Sequence, residues 1–403
     1  MTGLRANRNR MAAKVIDGVK GEREREFVLY CARADSDEET TAHARTLLQK
    51  GLDRDRLLRL ALQERVMPLL YRWINENSPE AFPAEFVERL RDHFYANAAR
   101  NHLLADELCA CLELFEKNGV QAVAYKGPVL AKDIYGDVAM RQFSDLDLMI
   151  RAEDVSRAYE LLGSRGYSKE HELTRAEESA FRKIECEQVL YKMEGRVYLD
   201  LHWGFAPLYF PLELDPKLMW NRLERVSFGR GLILSFAPED LLLILSVNAC
   251  KDFWQPLSRI CDVAEFIRAH KGLDWDRVLE RAKLAGARRI LFTTLLLAED
   301  LLKTNLPEHI SERMYADRKT RAFAESVRQK LFQDKEEAGG EVGKFLRPSK
   351  AMDSWRDRVR FHLRLGLTPT PEDWTFIKLP RGARFLYYLT RPIRLAKKYL
   401  LHH

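Results

Sequence analysis

The chain has 403 residues, 46% hydrophobic and 31% charged, with a formal net charge of +6. That composition belongs to a globular protein with room for two or three domains, and the longest apolar runs, such as 241–247, are too short to cross a membrane. The mild positive charge admits an anionic substrate without requiring nucleic acid. Six scattered cysteines offer no zinc pattern, since Cys109-x-Cys111 has neither the usual spacing nor a second pair.

Residues 1–25 are polar and basic and carry no apolar stretch of the signal-peptide kind, so a cytoplasmic location is expected. From 26 to 118 the pattern is helical, punctuated by Pro68, Pro79 and Pro83. Leu57, Leu58, Leu60, Leu62 and Val66 predict one amphipathic helix. Residues 84–118 predict a single long one that stops at Asn118-Gly119. No charged constellation in this region suggests chemistry.

Residues 120–126 predict a short apolar strand running into Gly127, with Pro128 in the first turn of the following helix. Such a helix start attracts phosphate, and it is also how an ordinary strand-to-helix turn is built. Lys126 is either an exposed strand end or a cation for triphosphate charge. Arg141 either contacts triphosphate or pairs with a carboxylate, and Ser144 either donates to phosphate or begins the next strand.

That next strand carries Asp145 and Asp147. Side chains alternate along a strand, so the two acids share a face while Leu146 and Leu148 take the other. Two carboxylates about 4 Å apart repel by about 4 kcal/mol at an effective dielectric of about 20. Either water screens them at a solvated strand end, or a cation such as Mg²⁺ sits between them.

Residues 153–165 predict a helix, and 170–185 either a solvated helix or a flap. The runs 187–193 and 196–203 predict a hairpin turning at Glu194-Gly195. In the second run Asp200 and His202 share a face between apolar neighbours. A buried Asp without a partner is costly. Set beside the Asp145/Asp147 strand, Asp200 completes three converging carboxylates, the ligand set of two-metal phosphoryl transfer. Trp203 reads as core, and His202 as a structural hydrogen bond or a donor to the reacting groups.

Together, Tyr125-Lys126-Gly127, Ile134-Tyr135, Arg141, Asp145-Leu146-Asp147-Leu148 and Asp200-Leu201-His202-Trp203 resemble the DNA polymerase β-like nucleotidyltransferase superfamily. More narrowly, they resemble its poorly characterised bacterial branch. The core likeness covers about residues 100 to 205. It implies an α+β, mostly α fold: a mixed sheet with helices on one side, flanked by N- and C-terminal helical regions. It also implies transfer of an NMP group from an NTP to an acceptor hydroxyl, with two Mg²⁺ or Mn²⁺ ions held by Asp145, Asp147 and Asp200. Lys126, Gly127, Arg141 and Ser144 would then position the triphosphate. One departure stands out. The superfamily carries Gly-Ser or Gly-Gly where this chain has Gly127-Pro128, and proline has no N–H to offer a phosphate. A catalytically silent nucleotide-binding or regulatory module on the same scaffold is the rival reading.

Pro207, Pro211 and Pro216 mark a crossing, and 226–236 predict a hairpin around Gly229-Arg230-Gly231. A helical region begins at Pro238, with 241–247 as a buried helix and 274–304 as further helix. Lys251, Arg259 and Asp262 either face the nucleotide or form surface salt bridges. Residues 333–350 read as a link. Beyond Asp373 come Lys378, Arg381, Arg384, Arg391, Arg394, Lys397 and Lys398, without an acid and with aromatics between them. This tail either packs on the helical region with its charges in solvent, or lies on an anionic membrane or along RNA. The expected divisions are 1–100, 101–236, 237–332 and 333–403. The acceptor is not encoded legibly: a small molecule, a saccharide precursor, a peptide or protein, and an RNA end all fit.

Overall fold

Apolar residues three and four apart set the first helices: α1 (Glu22–Cys31), α2 (Glu38–Gln49), α3 (Arg54–Gln63) and α4 (Met67–Asn77). The computed structural model describes residues 21–33, 38–169, 173–332, 347–377 and 386–400, so the expectations for 1–20 lie outside the described residues. Asp53 caps α3 by accepting from the Arg56 N–H, and Pro68 sits in the first turn of α4. The helix expected to run through Val66 stops at Gln63. Arg65 turns left-handed (φ 55°), and Val66 is buried just before α4. Phe27 packs edge-on to Trp73 among Val28, Leu57, Leu70 and Ile74, all buried. These helices belong to one compact unit, Met1–Phe94, and the second is Tyr95–His403.

The division falls inside the long helix α5 (Ala84–Lys117). In the second unit follow β1 (Ala122–Ala124), α6 (Gly127–Tyr135), β2 (Asp145–Ile150), α7 (Val155–Ser164), β3 (Ser168–Lys169), α8 (Arg175–Ile184), β4 (Glu187–Lys192) and β5 (Val197–His202). The segment left open as helix or flap forms α8, closed by a reciprocal cap between Thr174 and Glu177.

The strands form one mixed sheet in the order β1-β2-β5-β4-β3, with β2 and β5 parallel and the other pairs antiparallel. One face carries Leu146, Leu148, Ile150, Val197, Leu199 and Leu201. It packs on Leu104, Leu108 and Phe115 of α5 and on Val155, Ala158 and Leu162 of α7. Burying a large aliphatic side chain stabilises by about 1.5–3 kcal/mol, so this layer holds the sheet against its helices. The opposite face is left for polar chemistry. The fold is thus mostly helical α+β, with helices on one side of the sheet.

After α9 (Pro216–Trp220), β6 (Glu224–Phe228) and β7 (Gly231–Ser235) make the expected hairpin. Then come α10 (Pro238–Lys251), α11 (Ser258–Ala269), α12 (Trp275–Leu284), α13 (Arg288–Leu302), α14 (Glu308–Ala316) and α15 (Arg318–Arg328). The stretch 274–304 is helical as expected and is divided in two at Gly286, which turns left-handed (φ 66°). Leu241 to Val247 are buried throughout. All six cysteines are free thiols, five of them buried.

The C-terminal elements are α16 (Trp355–Leu367), α17 (Pro371–Phe376) and α18 (Tyr387–Leu400), after a 3-10 turn at Arg347–Ala351. Of the link expected over 333–350, residues 333–346 fall outside the described residues and 347–350 lie in the 3-10 turn; Lys378, Arg381, Arg384 and Phe385 of the tail also fall outside. The tail's expected solvent charges need correcting at Arg391 and Arg394. Both are buried and both pair with the buried Asp373, Arg391 through a 2.7 Å contact. Buried cations need a carboxylate partner, and Asp373 turns this stretch of helix inward.

Candidate active site

Parallel pairing of β2 with β5 sets Asp145 opposite Tyr198, Asp147 opposite Asp200 and Met149 opposite His202. Because Leu146, Leu148, Leu199 and Leu201 are claimed by the core, alternation sends Asp145, Asp147, Asp200 and His202 to the other face. One ligand atom each from Asp147, Asp200 and His202 lies within 4.8 Å of the others.

Asp147 is buried, and its Oδ1 accepts two hydrogen bonds: from Lys126 Nζ at 2.9 Å and with His202 Nε2 at 3.1 Å. Burial alone would raise its pKa. Lys126 and His202 outweigh that and hold the carboxyl well below the usual carboxylate range. Asp200 has neither hydrogen bond, and His202 lowers it only in part. Burial first, and the neighbouring Asp147 second, push its carboxyl up to about 7. Among the described residues no cation pairs with the carboxylates of Asp200 or Asp145.

His202 is held from both sides. Its Nδ1 lies 2.9 Å from Glu187 Oε2 while Nε2 meets Asp147. Burial opposes its charge, but Glu187 and Asp147 raise the imidazole well above its ordinary value. Both ring nitrogens thus meet carboxylates, and His202 stands with Asp147 and Asp200 in the one described group whose geometry could hold a metal ion. Lys251, at the end of α10, adds positive charge here. Burial works against its ammonium and is outweighed by Cys186, Glu187, Asp252 and Asp147.

Gly127 begins α6 directly after Lys126, with φ +53°. A Cβ there would meet the Asp145 carbonyl oxygen at 3.3 Å. The position thus needs glycine twice over: for its left-handed backbone and for the close approach of α6 to β2. Tyr125, two residues before Gly127, is buried edge-on to His202 and to Phe236.

Of the two courses open to Arg141, the structure shows carboxylate pairing. Its Nε and Nη2 donate to Asp262 Oδ1 and Oδ2, each at 2.8 Å, and both side chains are buried. Burial disfavours the guanidinium charge, and Asp262 more than restores it. A bidentate fork of this kind engages the planar end of the arginine. Asp262 is therefore in a buried pair, not on the surface, whereas Arg259 does pair near the surface with Asp252 at 2.8 Å. The Ser144 carbonyl accepts from Arg100 Nη2 at 2.9 Å. Trp203 is core, and its indole N–H donates to the Glu185 carbonyl.

Glu187 was not singled out from the sequence, although a signal was present. A hairpin turning at Glu194-Gly195 sets residues 187 and 202 opposite each other, and the observed register has Glu187 across from His202.

The residues fit a hard divalent cation. Three carboxylates share one face, two stand in direct register, and Asp200 is crowded by Asp147, which the charge of His202 offsets only in part. A cation there would relieve that crowding.

No curated protein matches the chain. Among solved structures, the solution structure of antibiotic-resistance factor ANT(2'')-Ia is similar at 13% identity with a TM-score of 0.32, over 45% of this chain and 91% of its own. The family described as "uncharacterised nucleotidyltransferase" matches residues 50–303, well over half the chain and including the whole carboxylate-bearing sheet, so the chain belongs to that family.

Proposed function

We propose that the protein transfers an NMP group from an NTP to a hydroxyl of an acceptor and releases pyrophosphate. The observation that carries this reading is the register of Asp147 with Asp200, with Asp145 on the same face, in a chain of the nucleotidyltransferase family. Mg²⁺ or Mn²⁺, held by Asp145, Asp147 and Asp200, would supply charge neutralisation and a fixed geometry for the triphosphate. The acceptor oxygen forms a bond to the α-phosphorus, the bond from that phosphorus to the β-phosphate oxygen breaks, and the acceptor proton passes to Asp200. Lys126 and Gly127 position the triphosphate. Ser144 assists, and Arg141 shapes the wall of the site through Asp262. On this reading residues 101–236 form the transferase core, with helical regions over 1–100 and 237–332 and an appended segment over 333–403.

A second reading has a specific observation behind it. Lys126 lies on Asp147 rather than free, and Pro128 removes one N–H from the helix start. Both favour a silent nucleotide-binding or regulatory module.

Calorimetry with ATP, GTP, CTP and UTP, with and without Mg²⁺, separates the two readings. Mg²⁺-dependent binding of one NTP that is lost in Asp145→Asn/Asp147→Asn, followed by label transfer from that NTP to an acceptor, supports the enzyme. Binding without transfer across an acceptor screen supports the module. No NTP binding in either condition removes both.

A further inference from the structure

We propose that the outer face of α16 docks the protein on an anionic lipid surface. The inference is independent of the carboxylate site. The inner side of α16 is anchored: Phe361 is 1% exposed in a cluster with Phe210 and Met352, and Arg364 Nη1 donates to the Leu208 carbonyl at 3.0 Å. The outer side carries Trp355 (69% exposed), Val359 (46%), Leu363 (58%) and Leu367 (45%). Residues four apart share a helix face, so these form one apolar row along all 13 residues of the helix, a length of about 20 Å.

The row is not an isolated exposed leucine of the ordinary kind. Eight of the 17 large hydrophobic side chains exposed among the described residues fall between 355 and 389, which concentrates apolar surface in this one segment. Soluble surfaces rarely leave such a row in water.

The charges beside it select the partner. Arg356 and Arg360 are exposed along the row, with the Arg356 guanidinium 5.8 Å from the centre of the Trp355 ring. The helix holds four arginines against one acid, Asp357. A flat helix with a Trp/Leu face and an arginine border matches the boundary between acyl chains and anionic headgroups. RNA is the poorer fit, because Val359, Leu363 and Leu367 offer no ring on which a base could stack. No described helix is long and apolar enough to cross a membrane, so the contact is peripheral.

Vesicle flotation with the full chain tests the proposal, using phosphatidylcholine vesicles with and without phosphatidylglycerol. Wild type should float with the anionic vesicles and not with the neutral ones. Val359→Ser/Leu363→Ser should lower retention at least about tenfold through lost apolar contact. Arg356→Ala/Arg360→Ala, which leaves the buried contacts of Phe361 in place, should lower it about fivefold per arginine. Melting curves check that each variant is folded. The proposal is overturned if wild type stays off anionic vesicles or if both variants float like wild type. It is equally overturned if the row proves to join two copies, seen as a dimer in sedimentation that the serine variant dissolves, or if it retains RNA in place of lipid.

Discussion

Asp147 and Asp200 stand opposite each other on adjacent parallel strands, yet only Asp147 is given cationic partners, Lys126 and His202. The pair is electrostatically lopsided: one carboxyl is held far down and the other is pushed up to about 7. A carboxyl with a folded pKa above its unfolded value of about 4 binds more protons folded than unfolded between the two. Its contribution to stability is present below about pH 4 and lost as the pH rises to about 7. Urea unfolding of wild type and Asp200→Asn across that interval reads the effect. The variant should gain on wild type as pH rises, and Mg²⁺ should shrink the difference. Parallel curves would remove the case for charge crowding.

Gly127 tolerates no side chain without strain. Alanine at φ +53° costs about 1–2 kcal/mol from the left-handed backbone alone. It also presses on the Asp145 carbonyl, so α6 must shift from β2. Gly127→Ala should lose stability by that amount and weaken Mn²⁺ binding as well. Intact metal affinity at reduced stability would confine the glycine to a structural role.

Arg141 and Asp262 form a buried pair 121 residues apart in sequence, tying the loop before β2 to α11. Removing one partner leaves the other charged and buried, at about 3–5 kcal/mol. Arg141→Ala and Asp262→Ala should each show that loss in chemical denaturation. The joint replacement Arg141→Met/Asp262→Leu should recover much of it. If the joint variant is no better than the singles, the pair does more than satisfy its own charges.

A second, half-buried acid works in the opposite pH direction from Asp200. Glu107 on α5 accepts from Arg165 at 2.7 and 2.9 Å, from Lys192 at 2.9 Å and from Tyr167 at 3.0 Å. Burial would raise its pKa, but hydrogen bonds from Arg165, Lys192 and Tyr167 bring it down to about 2. Its stabilisation is therefore present above the unfolded value of about 4.3 and is lost as the pH falls toward about 2. Glu107→Gln should flatten the acid limb of the stability profile. An unchanged limb would place the acid sensitivity elsewhere.

Replacing Glu187 tests how His202 is held. Glu187→Gln removes the charge on Nδ1 and leaves Asp147 on Nε2. The imidazole pKa, followed by NMR, should fall in the variant, because Glu187 is the largest influence raising it. An unmoved titration would mean that Asp147 alone keeps the ring charged.

Much of this was legible in the sequence because strands and helices repeat at fixed periods. Period-two alternation in 145–150 and 197–202 separated acids from leucines before any fold was known, and the leucines do face the helices. Glu194-Gly195 marked the hairpin, and with it the register that joins Glu187 to His202. Fold class and family followed from these local patterns.

Other features depended on contacts between residues far apart in the chain, which local patterns cannot encode. Arg141 as a residue type suits either a phosphate or a carboxylate, and only the placement of α11 brings Asp262 within 2.8 Å. Lys126 as a residue type suits a triphosphate, and only the pairing of β1 with β2 lays its ammonium on Asp147. The basic tail suggested a solvent-facing helix until Asp373 drew Arg391 and Arg394 inward. The sequence by itself determined which faces are apolar and which carry acids, because side-chain direction follows backbone period. The tertiary structure alone decided which charge meets which, because ion pairing depends on distances of a few ångströms between segments that the chain sets far apart.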